Sequence, residues 1–261
     1  MSASGSGWSR LAISESDAGW NMSLDEALLE TAERPVLRLY RWRRPTASLG
    51  YRQPEPDWLG RAGELGVDVV RRCSGGGTVL HAGDLTYAVV VPRGCPDVPE
   101  GLACSYDWIR GRLIHGLQWA GLPVAASRAE PGADRAALCF AGATGNEIDL
   151  EARKLVGSAQ RRTPWGLLQH GSIRLHDDRA LYRQLTGSEP GPPADLPRVE
   201  AGRVAAGIVA AFESATGGPV PERPLLSPER ERAQWRQACR TAARLTLPSL
   251  SRSVTCADTL P

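Results

Sequence analysis

Three consecutive glycines, Gly75, Gly76 and Gly77, stand between two runs of strand character in RRCSGGGTVLHAGDLTYAVVVP, Arg71 to Pro92. No stable helix runs through such a tract, since each glycine there costs about 1 kcal/mol relative to alanine. The segment has to be strand, bare loop, strand. A P-loop needs Lys-Ser/Thr directly after its glycines and a helix beyond. Here Thr78-Val79-Leu80 continues as strand, and Leu80 stands where a dinucleotide fingerprint requires its third glycine. Both common nucleotide loops are excluded. Two readings remain: a tight strand–strand turn that needs glycine only for geometry, or a loop without Cβ atoms on which a ligand lies against converging backbone N–H groups. Arg72 before the loop can meet negative charge, and His81 after it can donate a hydrogen bond.

The second constraint is compositional. Of the 31 basic side chains only Lys154 is a lysine, in EARKLVGSAQRR. A bias toward Arg, Ala, Gly and Pro explains why lysines are rare but not why this one remains. Lysine is a compact ammonium whose pKa shifts when it is desolvated, whereas arginine stays charged, so Lys154 is a candidate functional residue. With 29 acidic residues the formal charge is only +2, which gives no whole-molecule field for nucleic acid or an anionic membrane. No apolar run reaches the roughly 18–20 residues of a membrane span, and the N-terminus lacks a signal-peptide core, so a cytoplasmic protein is expected. The six cysteines (Cys73, Cys95, Cys104, Cys139, Cys239, Cys256) form no CxxC pair, which argues against a disulfide framework or a zinc site. Each is an inert small hydrophobe or a nucleophile candidate.

WNMSLDEALLETAE reads as a first helix, with Ser23 and Glu26 as a capping box. PVLRLYRW alternates at period two, which predicts a strand from Pro35 to Trp42 half exposed to water. LGVDVVRR enters the glycine loop as a strand, and TVLH with LTYAVVVP leaves it. CSYDWIRGRLIHGLQWAGL predicts a helix burying Ile109, Leu113 and Leu117, with Trp108, His115 and Trp119 on the other side. NEIDL and RKLVGSAQR read as a hairpin turning at Glu151–Ala152, with GLLQHGSIRL as a third strand beside it. SEPGPPADLP is a loop. VEAGRVAAGIVAAFESATG and SPERERAQWRQACRTAARL are helices, the second with Pro228 in its first turn. Strands, a helix, more strands and terminal helices predict an α+β fold with a mixed, largely antiparallel sheet flanked by helices. The expected organisation is a catalytic core over 1–180 and a helical extension over 181–261 packed on it, flexible from about 246. A monomer is expected. The cluster Arg38, Arg41, Arg43, Arg44 and Arg52 could receive an acidic partner or be a solvated face.

NMSLDEALL, RRCSGGGTVLHAGDLTYAVVVP and RKLVGSAQRR…LLQHGSIRL, in that order and spacing, resemble the lipoyl branch of the biotin/lipoate protein ligase superfamily. The likeness runs from about Trp20 to Leu175. Within the branch, LCFAGATGNEIDLEARK is similar to the octanoyltransferases of the LipM type, in which Cys-Phe opens a loop followed by Glu and Lys. Lipoate–protein ligase A is the near relative, and the triple glycine is more ligase-like. The resemblance implies a catalytic domain of the biotin/lipoate ligase type. It also implies Cys139 as acyl-accepting nucleophile and Lys154 as the cation that favours its thiolate and meets the acyl oxyanion. Ser74, Gly75, Gly76, Gly77, Thr78 and Val79 would line the acyl slot, with Arg72, His81, Gly157, Ser158, Ala159 and His170 around it. The implied partners are octanoyl-acyl carrier protein and a lipoyl domain, of the glycine-cleavage H protein or of a 2-oxoacid dehydrogenase acyltransferase subunit. A thioester donor needs no cofactor and no metal. The alternatives are an ATP- and Mg2+-dependent ligase working through lipoyl-AMP, with Arg72 on the adenylate phosphate, and a binder that keeps the pocket without the chemistry.

Overall fold

A computed structural model describes residues 7–127, 147–151, 153–188 and 199–246. Cys139, Ala152, Cys256 and the expected flexible tail beyond 246 lie outside the described residues. In chain order the first elements are β1 (Ser9–Leu11), β2 (Ser14–Ser16), α1 (Ala18–Thr31), β3 (Val36–Trp42), β4 (Thr46–Leu49), α2 (Leu59–Glu64), β5 (Asp68–Arg71), β6 (Val79–His81) and β7 (Leu85–Pro92). There follow α3 (Leu102–Trp119), β8 (Val124–Ala126), β9 (Ile148–Leu150), β10 (Arg153–Thr163), β11 (Gly166–Ile173), α4 (Arg179–Thr186), α5 (Ala201–Thr216), β12 (Glu222–Arg223) and α6 (Ser227–Thr246).

Among the described residues, nine strands form one sheet in the order β12-β1-β3-β7-β11-β10-β9-β8, with β2 on β3, and β5-β4-β6 form a second. The centre, β3-β7-β11-β10-β9, is antiparallel, with β9-β10 and β10-β11 joined as hairpins, while β1 and β12 add in parallel at one edge. The α+β expectation holds. The hairpin turns at Glu151, which carries a positive φ of 50°.

Two local readings fail. The helix cap is Asp17, whose side chain accepts from the Trp20 amide at 2.8 Å. Ser23 and Glu26 sit mid-helix, Ser23 buried, so no capping box forms. β3 is not half exposed either, because both of its faces are covered. Its apolar residues Leu37 and Leu39 join β7 and α3 on one side, while Val36 and Tyr40 meet α1 on the other. Arg38 therefore leaves the presumed surface cluster: it is 1% exposed and pairs with Asp25 at 2.6 Å. Ile109, Leu113 and Leu117 are buried as expected, but Trp108 packs inward against Trp8 and Phe212.

The C-terminal segment is woven into the same body. β12 pairs with β1, α5 lies against α3, and α6 lies against α1. Arg232, Arg236 and Arg240, one helical turn apart on α6, ion-pair with Glu26 and Glu30 of α1. Arg240 also donates to the Arg71 carbonyl at 2.7 Å, just before the glycine loop. No described helix is long and apolar enough to cross a membrane.

Candidate functional site

The glycine loop folds over the α1 face of the main sheet and encloses a pocket of about 420 Å3, its open mouth included. Sheet register sets its floor. Gly157, Ser172, Thr86 and Tyr40 stand on one rung across β10, β11, β7 and β3, and Ala159, His170, Ala88 and Arg38 stand two residues further along. The loop forms the opposite wall. Gly76 holds φ at 92°, and a Cβ on Gly50 would lie 1.9 Å from the Gly76 carbonyl oxygen, so both positions require glycine. Gly75 is different: a Cβ there would meet nothing within 4 Å, because it faces open space.

Of the residues expected around the slot, Arg72, Gly75, Gly76, Val79, His81, Gly157, Ser158, Ala159 and His170 line it. Ser74, Gly77 and Thr78 support it instead. Ser74 Oγ lies 2.5 Å from His170 Nε2, the Gly77 carbonyl accepts from Arg72, and Thr78 Oγ1 accepts from Gln53. Arg72 is 5% exposed and braces the loop. It donates to the carbonyls of Ser48 (2.6 Å), Gly75 and Gly77 (2.7 Å each). Lys154 is not among the lining residues; its ammonium forms an ion pair with Glu147 in a largely buried setting.

Sequence reasoning missed Met22, Tyr40, Trp42, Ser48, Thr86, Gly171 and Ser172 in the lining, and the two aspartates behind it. Asp84 Oδ2 lies 2.8 Å from His81 Nδ1, and His81 Nε2 lies 2.9 Å from Ser48 Oγ. Ser172 Oγ and Thr86 Oγ1 also donate to Asp84 Oδ2, at 2.6 and 3.1 Å. Trp42 stacks on the His81 ring at 4.2 Å and donates its indole N–H to Thr86. On the other side, Asp25 Oδ2 lies 3.0 Å from His170 Nδ1 and completes a second Ser–His–Asp line with Ser74. Asp25 further accepts from Arg38 and the Tyr40 hydroxyl. In both lines a carboxylate on Nδ1 keeps the proton there, leaving Nε2 to accept from the serine hydroxyl. Period-two spacing, Tyr40/Trp42 and Asp84/Thr86, was the readable signal for the missed residues.

Burial works against ionising both aspartates, but their partners prevail. The Arg38 guanidinium and the His170 and Tyr40 hydrogen bonds hold Asp25 below the usual carboxylate range. His81, with hydrogen bonds from Ser172 and Thr86, does the same for Asp84. Burial, with Glu26 and Asp25 nearby, pushes the Cys73 thiol far up, and burial also raises Cys95, so neither is a ready thiolate. Among the described residues no group of three or more His, Cys, Asp or Glu could hold a metal ion.

Comparison with known proteins adds the following. Residues 17–193 match the lipoyl protein ligase A/B catalytic domain family. The octanoyltransferase LipM of Kyrpidia tusciae is 38% identical over 192 residues, 68% of this chain and 70% of that protein. The octanoyltransferase LipM of Carboxydothermus hydrogenoformans is 41% identical over 173 residues, 63% and 64% respectively. A lipoate-protein ligase A bound with ATP superposes with a TM-score of 0.75 at 20% identity, covering 90% of this chain and 96% of its own. A bipartite lipoate protein ligase from Thermoplasma acidophilum, studied with its E2 lipoyl domain, superposes at 0.71 and 16%, covering 95% and 99%. At these identities the solved structures share the fold.

Proposed function

The chain belongs to the lipoyl protein ligase A/B catalytic domain family, and from that premise we propose that it is an octanoyltransferase of lipoate biosynthesis. It moves octanoate from octanoyl-acyl carrier protein, through a thioester on Cys139, to a lysine of a lipoyl domain. The observation that carries this reading is the 35–41% identity to octanoyltransferases of the LipM type over about two thirds of the chain.

The pocket supports it. Trp42, Met22 and Val79 offer apolar surface, and the glycine loop lets a chain lie directly on peptide. Burying about seven methylenes at about 0.8 kcal/mol each supplies most of the binding. The acyl group arrives activated, so the reaction consumes no ATP and needs no metal. The Cys139 thiolate attacks the octanoyl thioester, and the carrier thiol leaves. Lys154 is assigned to the oxyanion of the tetrahedral intermediate. For that it must exchange its Glu147 pairing for the substrate. The reaction is placed in the cytoplasm, where the acyl carrier is found.

The ligase reading needs Arg72 on an adenylate phosphate. Its guanidinium is instead spread over three loop carbonyls and is almost wholly buried, which weighs against that role. The two readings part in one experiment. Incubation with octanoyl-acyl carrier protein should add one octanoyl group to the intact mass, lost in Cys139→Ser. ATP-dependent labelling of a lipoyl domain by free lipoate, with no adduct on the enzyme, would select the ligase instead.

A further inference from the structure

We propose that Ser48, His81 and Asp84 form the relay that takes the proton released when the acceptor lysine attacks the acyl-enzyme. The proposal rests on the acyl-transfer reading above and assigns the base that this reading lacks. The amine nitrogen bonds to the acyl carbon, and the C–S bond to Cys139 breaks with the thiolate leaving. The proton on nitrogen passes to Ser48 Oγ as the serine's own proton passes to His81 Nε2. Asp84 stabilises the imidazolium, which returns its proton to solvent or to the thiolate.

Three observations carry this. Ser48 and His81 both line the pocket, and the 2.9 and 2.8 Å links from hydroxyl to imidazole to carboxylate have the connectivity of a proton relay. Register puts the relay at the Lys154 end. Leu85, Ile173 and Val156 share a rung; Asp84 directly precedes it at the start of β7, and Lys154 precedes it on β10, across the irregular pairing between Lys154 and Val156. The two strands are about 10 Å apart. The other line lies at the far end, because His170 is level with Ala88, four residues or roughly 13 Å along β7 from Asp84.

Third, the charge is available. Asp25 is already neutralised by Arg38, whereas among the described residues Asp84 is hydrogen-bonded by hydroxyls and His81. The other charged or titratable groups nearby include Arg72, whose Nη1 is 3.4 Å from Ser48 Oγ, Tyr40, which feels the Asp84 charge, and His176, packed against Gly83. His81 and Ser48 are the catalytic members and Asp84 is the positioning residue.

The test separates the half-reactions in the full-length protein. With octanoyl-acyl carrier protein, formation of the Cys139 adduct by Asp84→Asn and His81→Gln should slow far less than the transfer that follows it. Transfer from that adduct to a lipoyl domain should fall about a hundredfold at pH 7, the size typical of a lost general base. The deficit should shrink as pH is raised toward 9.5, where more of the acceptor amine is already neutral. Ser48→Ala, which removes only the hydroxyl link, should slow transfer about tenfold and serves if the other variants unfold. Equal slowing of both halves, or a transfer deficit that ignores pH, overturns the relay while leaving acyl transfer standing. No adduct on the wild-type protein overturns the acyl-transfer reading, and the relay with it.

Discussion

The two Ser–His–Asp lines of the pocket share a connectivity and differ in what stands behind the carboxylate. Behind Asp25 is Arg38, itself 1% exposed, stacked on Tyr40 at 3.8 Å and bonded to Asn21. Behind Asp84, among the described residues, the further hydrogen-bond partners are the hydroxyls of Thr86 and Ser172. A buried ion pair whose charges cancel fixes shape. A buried carboxylate with only an imidazole to balance it responds to proton movement. The same three residue types thus make a structural strut at one end of the pocket and a chemical device at the other.

The sharpest way to break this contrast is to remove one charge at each end. Asp25→Asn strands the buried Arg38 guanidinium and should cost about 3–5 kcal/mol. Asp84→Asn leaves no buried cation behind and should cost about 1–3 kcal/mol. Urea melts giving equal losses would show that Asp84 is as structural as Asp25. Next in size, Gly50→Ala drives a Cβ into the Gly76 carbonyl and should destabilise by about 1–3 kcal/mol, with weakened acyl binding read by a raised KM for the acyl donor.

Acid comes third. Both aspartates have folded pKa values below their unfolded ones, so each contributes stability that is present above about pH 4 and is lost as pH falls through the folded value. Each unit of depression is worth about 1.4 kcal/mol. Thermal melts should stay level from pH 7 to 5 and drop below 4. In Asp25→Asn and Asp84→Asn the acid drop should be smaller. Smallest in stability is Gly75→Val, within about 0.5 kcal/mol because its side chain enters open pocket space. It should still raise the KM for octanoyl donor severalfold, and a normal KM would place the acyl chain elsewhere.

Much of this was legible in the chain. Strand–loop–strand around Gly75–Gly77, the Glu151 hairpin and the buried stripe of α3 follow from local rules, since backbone freedom and side-chain period act over a few residues. Period two also marks Trp42 and Thr86, but nothing local says which face of β3 or β7 meets a ligand. The strand from Pro35 to Trp42 was misjudged because alternation tells exposure only when one face is wet, and here helices cover both. Ser23 and Glu26 imitate a cap for a similar reason: the pattern is local, and an earlier aspartate took the role. Asp25 was invisible as a site residue because its partner His170 is 145 residues away.

The sequence by itself determined the α+β class, the bare loop and its strands, and the family, since these depend on composition and on ordered short motifs. Only the tertiary structure decided which charges are paired. Arginine at position 38 reads as a surface cation until the sheet closes over it, and nothing local marks aspartate 84 until Ser172 and His81 converge on it. The physical reason is that an ionic or proton-relay interaction has no sequence period: it exists only where distant strands set two side chains within about 3 Å of each other in a place water cannot reach.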